Sequence, residues 1–193
     1  MRRAYALPSV KIISTVLMLA WPFVIWFGLE VNGLRWLLPL MMVLLLTRIA
    51  MTPRHSGPMR SVMLVAALAG LTLCLLSYLF NRHEWLLFYP VAVNCVMLLV
   101  FGGSLWTTMP LVERLARLRE PDLPPAAVCY TRRVTQVWCL FFIVNGSAAL
   151  WTALHGDLRL WTLWNGALSY TLMGLLMTVE WVVRCQVRKR EQQ

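Results

Sequence analysis

The stretch WLLFYPVAVNCVMLLVFGGSLW at positions 85–106 runs from one tryptophan to another without a charged side chain. Because an α-helix needs roughly 20 mostly apolar residues to cross the hydrocarbon core of a bilayer, this stretch predicts a transmembrane helix. Comparable apolar runs occupy positions 10–29, 34–51, 61–80, 135–154 and 160–183. We therefore predict an all-α polytopic membrane protein, a single domain over residues 1–193 whose six transmembrane helices form three helical hairpins.

Composition and charge support this class. Hydrophobic residues make up 60% of the chain and charged residues 13%, which is more apolar side chain than a water-soluble core of this size buries. The net charge of +10 does not indicate nucleic-acid binding, because the basic residues stand at the ends of apolar runs. Lysine and arginine beside transmembrane helices stay in the cytoplasm, so both termini are predicted to be cytoplasmic. That orientation leaves only Arg35, Arg82 and Arg159 outside.

The one long connection, residues 107–134, is predicted to lie in the cytoplasm. Its first part, residues 110–120, places Leu111, Leu115 and Leu118 four and three residues apart with arginines between them, which is the spacing of an amphipathic helix. Such a helix suits the surface of an anionic inner leaflet. Prolines then end it, and Pro124 or Pro125 can start the helix that becomes the fifth span.

Four strongly polar residues fall within or near the predicted spans. Asn94 and Asn145 lie near the middle of theirs, Asn165 lies in the outer third of the sixth, and Glu180 approaches its inner boundary. Polar groups inside a bilayer are costly and often functional, so they could line a path or organise a site for an anionic head group. The alternative is that they hold helices together through hydrogen bonds.

A second group of candidates consists of arginines on the predicted cytoplasmic side. Adjacent guanidinium groups hold a phosphate or a carboxylate through paired hydrogen bonds. The alternative is that they only anchor the ends of the helices. The candidate residues for binding an anionic partner or a lipid head group are Arg114, Arg117, Arg132, Arg133 and Arg184.

No catalytic, metal or cofactor site is expected. In the predicted topology His55 is inside whereas His83 and His155 are outside, so the histidines do not converge. The cysteines form no CxxC pair and no metal-type spacing with these histidines, and we interpret them as small apolar residues of the helices.

The C-terminal half carries a family resemblance. The segments EPDLPPAAVCYTRRVT at 120–135, VWCLFFIVNGS at 137–147, WNGALSY at 164–170, MGLL at 173–176 and EWVVR at 180–184 resemble a family of small uncharacterised bacterial inner-membrane proteins. Genes of that family accompany those for acyl carrier proteins, ketosynthases and dehydratases in clusters for aryl polyene pigments of the xanthomonadin type. The resemblance implies a multi-pass protein of the bacterial inner membrane, and the family has no established activity to carry over.

The sequence is compatible with three functions. The first is an accessory protein of aryl polyene lipid biosynthesis that docks acyl carrier protein or soluble acyl-chain enzymes, since acidic carriers suit a basic surface. The second is a small transporter or flippase for a lipid-like or anionic substrate, and the third is a membrane acyltransferase. In each case the bilayer itself is the expected partner.

Overall fold

A computed structural model describes residue 23 and residues 34–51, 58–80, 83–118 and 120–191. The predicted first span at 10–29 therefore lies outside the described residues, apart from Phe23. The described part of the chain is helical and contains no strand, which confirms the all-α class. Its elements are α1 (Leu34–Met51), α2 (Pro58–Leu79), a 3₁₀ helix (His83–Phe88), α3 (Tyr89–Ser104), α4 (Leu111–Arg117), α5 (Pro125–His155), α6 (Leu158–Thr162), a π-helical segment (Leu163–Leu168) and α7 (Ser169–Glu191).

Three of the described helical stretches are long and apolar enough to cross a membrane. They are Glu84–Ser104, Pro125–His155 and Leu158–Gln186, and they contain most of the predicted spans at 85–106, 135–154 and 160–183. A shorter apolar helix covers Leu64–Leu79. Many apolar side chains on the outer faces of these helices are exposed, as expected of helices that are surrounded by lipid.

The helix of the fifth span begins within the connection predicted at 107–134, at one of the two prolines expected to start it. Helix α5 begins at Pro125, after Pro124 in an extended conformation with φ −66° and ψ 155°. Proline has no N–H to lose at the first helical position and its φ already suits a helix. Residues 125–134 are therefore the first turns of α5, so this helix extends beyond the predicted span.

Helix α4 occupies only part of the predicted amphipathic segment 110–120, and its leucines do not all face outward. Leu111 is buried against Phe101 and Phe142, and Leu115 packs on the same cluster, whereas Leu118 is 75% exposed. The Leu111 N–H donates to Ser104 Oγ over 2.9 Å, which fixes α4 against the end of α3. The expectation of a leucine face on the bilayer is thus wrong for Leu111 and Leu115, because they complete the protein core.

The turn between α5 and α6 follows from two residues. Gly156 ends α5 in the left-handed conformation with φ +77°, which glycine adopts without a Cβ penalty. Asp157 then caps α6, since its Oδ1 accepts from the backbone N–H groups of Arg159 and Leu160 at 2.8 and 3.2 Å. Trp161 is consequently directed into the main core, where it packs in one buried cluster with Leu86 and Leu87.

Candidate functional site

Two of the predicted intramembrane asparagines meet in the interior. Asn145 of α5 donates from Nδ2 to Asn94 Oδ1 of α3 over 3.1 Å, and Ser169 at the start of α7 donates from Oγ to Asn145 Oδ1. Asn94 in turn donates to the carbonyl of Pro90 over 2.8 Å. All three of Asn94, Asn145 and Ser169 are buried, so a polar link joins three helices inside an apolar bundle.

A glycine allows α3 and α5 to approach each other at this point. A Cβ on Gly146 would lie 3.0 Å from Asn94 Cβ, closer than an ordinary carbon–carbon contact of about 3.5–4.0 Å. Small residues at helix contacts in membrane proteins allow such an approach. The neighbouring Asn145-Gly146 pair therefore combines a close backbone contact with a hydrogen bond across it.

Asn165 forms a second link, within the π-helical segment. Its Nδ2 donates to the Trp161 carbonyl over 2.9 Å and approaches Thr152 Oγ1 of α5 at 3.4 Å. Asn165 is only 5% exposed, and its Oδ1 has no hydrogen-bond partner. The buried Thr162 Oγ1 and Trp164 Nε1 of the same region also lack partners. Unsatisfied buried polar atoms cost free energy, and π-helical turns are frequent at functional sites.

Sequence reasoning identified the asparagines and missed their partners Ser169 and Thr152. The signal that could have identified these partners is helical spacing, because residues three, four or seven apart share a helix face. Asn145 and Thr152 are seven apart on α5, and Asn165 and Ser169 are four apart. Serine and threonine could not be selected by type alone, since both also bond their own helix backbone, as Thr152 does to Ala149.

Glu180 does not join the asparagine links. It lies fifteen residues beyond Asn165 along the chain, about 22 Å at 1.5 Å per helical residue. Its backbone carbonyl accepts from the Tyr130 hydroxyl over 3.0 Å, which joins α7 to the first turns of α5. The structure contains no ion pair between Glu180 and Arg184 among the described residues.

Three of the predicted arginines lie where α3 ends, α5 begins and α7 passes Glu180; we call Arg132, Arg133 and Arg184 the basic end. Arg132 donates from Nη2 to the Leu105 carbonyl over 3.1 Å, and Tyr130 connects the same part of α5 to α7, which carries Arg184 one turn beyond Glu180. A cation at the carbonyl end of a helix also interacts favourably with the helix dipole. Arg132 therefore helps to hold the end of α3.

The arginines of α4 are engaged in different ways. Arg117 pairs with the buried Glu113, with 2.8 Å between Nη2 and Oε1, and its Nη1 donates to the Pro121 carbonyl. Arg114 is exposed and donates to the Met109 carbonyl and to Thr107 Oγ1. Arg133 is exposed and has no hydrogen-bond partner among the described residues. Among these candidates, Arg133 is thus the one whose guanidinium makes no hydrogen bond or ion pair with the described part of the protein.

In the described part of the chain, the residues considered for metal binding or nucleophilic chemistry make structural contacts. Its His, Cys, Asp and Glu side chains form no group of three that could hold a metal ion. His155 stacks on Trp151, with 5.4 Å between the ring centroids. The Ser104 hydroxyl donates to the Phe101 carbonyl and accepts from Leu111, so its hydrogen-bonding capacity serves the α3–α4 corner.

The fold and its polar interior define a class: an all-helical protein with helices of membrane-spanning length, joined inside by neutral hydrogen bonds and carrying arginines at one end. Among known proteins the chain is similar to the inner membrane-spanning protein YciB of Ralstonia pickettii (strain 12J). The two are 22% identical over 183 residues, which cover 93% of this chain and 78% of that protein. No protein-family model and no solved structure matches the chain.

Proposed function

We propose that this chain is a bacterial inner-membrane protein that crosses the bilayer six times, with both termini and the basic end in the cytoplasm. The similar protein from Ralstonia pickettii carries an inner-membrane name, which supports the compartment. The excess of basic residues at alternate ends of the apolar runs supports the orientation, because positively charged flanks are retained in the cytoplasm.

Within this frame, we propose that the basic end docks acyl carrier protein or a soluble acyl-chain enzyme during aryl polyene lipid biosynthesis. The observation that carries the proposal is the uncommitted charge of Arg133 beside Arg132, on the exposed first turns of α5. Arg132 uses one of the five N–H groups of a guanidinium in its bond to Leu105. Both arginines can therefore donate hydrogen bonds to carboxylates of an acidic partner.

The test is charge reversal in a pigment-producing host. The double variant Arg132→Glu with Arg133→Glu is expected to abolish aryl polyene while the protein stays in the membrane, because acidic side chains repel an acidic carrier. Pigment is measured by absorbance of a solvent extract and insertion by immunoblot of the membrane fraction. The single variant Arg133→Glu leaves the Arg132–Leu105 bond intact and should lower the pigment several-fold.

Arg159→Glu is the matched control, since Arg159 is also exposed and lies in α6, beyond the opposite end of α5. It should leave the pigment unchanged. Normal pigment in both the double and the single variant would overturn docking at the basic end.

A second candidate function is transport of a lipid-like substrate, favoured by the unpartnered Asn165 Oδ1 in the π-helical segment. A transporter needs polar atoms that can exchange partners, and in this proposal the buried oxygen accepts from a substrate hydroxyl when a path opens to it. Asn165→Ala should then leave finished pigment in the inner membrane, as measured by pigment content of separated inner and outer membranes. Docking predicts a normal distribution in that variant. The third function, acyltransfer, gains no support from the described residues.

A further inference from the structure

Several large apolar side chains on either side of α4 in the chain are exposed on the protein surface. Trp106 is 89% exposed, Met109 43% and Leu118 75%. Trp106 and Met109 belong to the turn between α3 and α4, and Leu118 is the residue at which α4 ends. Tryptophan beside exposed aliphatic groups and arginine is characteristic of the boundary between a bilayer and water.

Arg114 lies among these side chains in a fixed position. Its Nε donates to the Met109 carbonyl over 2.8 Å and its Nη2 to Thr107 Oγ1 over 3.0 Å. Two of the five guanidinium N–H groups are thereby used, and the exposed side chain has three left without a partner among the described residues. A preorganised guanidinium loses less conformational entropy on binding a phosphate than a guanidinium that rotates freely before binding.

The carboxylate next to Arg114 in the chain does not compete for this guanidinium. Glu113, the adjacent carboxylate in the chain, is buried and paired with Arg117. Leu118 follows Arg114 by four residues, so the two share one face at the end of α4. The exposed surface around Arg114 thus combines a cation whose remaining donors have no partner among the described residues with exposed apolar groups before and after it in the chain.

We propose that Trp106, Met109, Arg114 and Leu118 form an interfacial site for an anionic phospholipid. Arg114 binds the head-group phosphate, while Trp106, Met109 and Leu118 contact the glycerol and upper acyl-chain region. The leucines that were expected to face lipid, Leu111 and Leu115, pack inward instead. The site rests on the proposed orientation of the basic end at the inner leaflet, and it does not depend on docking of a carrier protein.

The experiment uses the full-length protein in detergent, titrated with phosphatidylglycerol and observed by native mass spectrometry. Arg114→Gln is expected to weaken phosphatidylglycerol binding about tenfold, which is about 1.4 kcal/mol, because it removes the charge-assisted hydrogen bonds to the phosphate. Trp106→Ala with Leu118→Ser, which breaks no hydrogen bond of the fold, should weaken it several-fold as well. Arg159→Gln is the matched control and should bind as the unmodified protein does.

Unchanged binding in both site variants would overturn the proposal. Inorganic phosphate that displaces phosphatidylglycerol at equal concentration would also overturn it, because the apolar groups would then contribute nothing. An acidic carrier protein that binds through Arg114 in place of the lipid would do the same. Failure of carrier docking would appear in the Arg133→Glu pigment assay and would leave these lipid titrations unaffected, so the two proposals can fail separately.

Discussion

Replacing Trp161 by alanine is expected to lower the free energy of unfolding by about 3–5 kcal/mol, the usual cost of deleting a fully buried large aromatic side chain. Trp161 is 0% exposed and packs in one cluster with Leu86, Leu87, Cys74 and Ala153. Its indole N–H also donates to the Leu87 carbonyl over 2.9 Å, and alanine would leave that carbonyl without this partner.

The measurement is reversible unfolding in mixed micelles by titration with a denaturing detergent. Trp161→Phe separates the two contributions, because it keeps an aromatic ring and removes only the donor; it should cost less than the alanine variant. Trp151→Ala is the matched control, since Trp151 is 58% exposed and should lose little stability. Equal losses at both tryptophans would contradict the packing described for Trp161.

Asn145→Leu is expected to cost about 2 kcal/mol, because it removes two hydrogen bonds at once. Asn94 Oδ1 would lose its donor from α5 and the Ser169 hydroxyl would lose its acceptor. Hydrogen bonds between membrane helices contribute about 0.6 kcal/mol on average and at most about 1.7, and buried groups left unpaired add to the loss. The same unfolding titration measures the effect.

Two further variants make this prediction specific. Ser147→Ala changes an exposed polar residue two positions along α5 and should be nearly neutral. Adding Ser169→Ala to Asn145→Leu should recover part of the stability, because the unpaired hydroxyl is then absent. If Asn145→Leu were as stable as the unmodified protein, the asparagine link would contribute nothing to the packing of the helices.

The helical class, the positions of the long apolar helices and the start of α5 at a proline could be predicted from the sequence, whereas the packing of α4 could not. Runs such as 85–106 are recognisable because each side chain contributes its own free energy of transfer from water into lipid, whatever its neighbours are. The start of α5 at Pro125 is likewise a local property, because proline suits the first helical position and has no N–H to lose there. The inward direction of Leu111 depends on Phe101 of α3 and Phe142 of α5, and only the tertiary structure brings these two helices together around it.

The candidate site divides in the same way. Asparagines in apolar runs stand out in a sequence because burying an amide is costly, and arginines stand out because their distribution along the chain is uneven. Neither signal reveals that Asn94 and Asn145 bond each other, or that Arg117 is committed to Glu113 whereas Arg133 has no partner among the described residues. Those differences decide which arginines have hydrogen-bond donors left for a ligand.

By itself the sequence determined that this chain is helical, holds more apolar surface than a soluble core can bury, and carries its charge at the ends of apolar runs. Only the tertiary structure decided which polar groups are satisfied within the protein and which remain available to a partner. The physical reason is that transfer free energies and helix propensities belong to single residues and short segments. Hydrogen-bond pairing, close helix contacts and the exposure of a guanidinium depend on atoms brought together from distant positions in the chain.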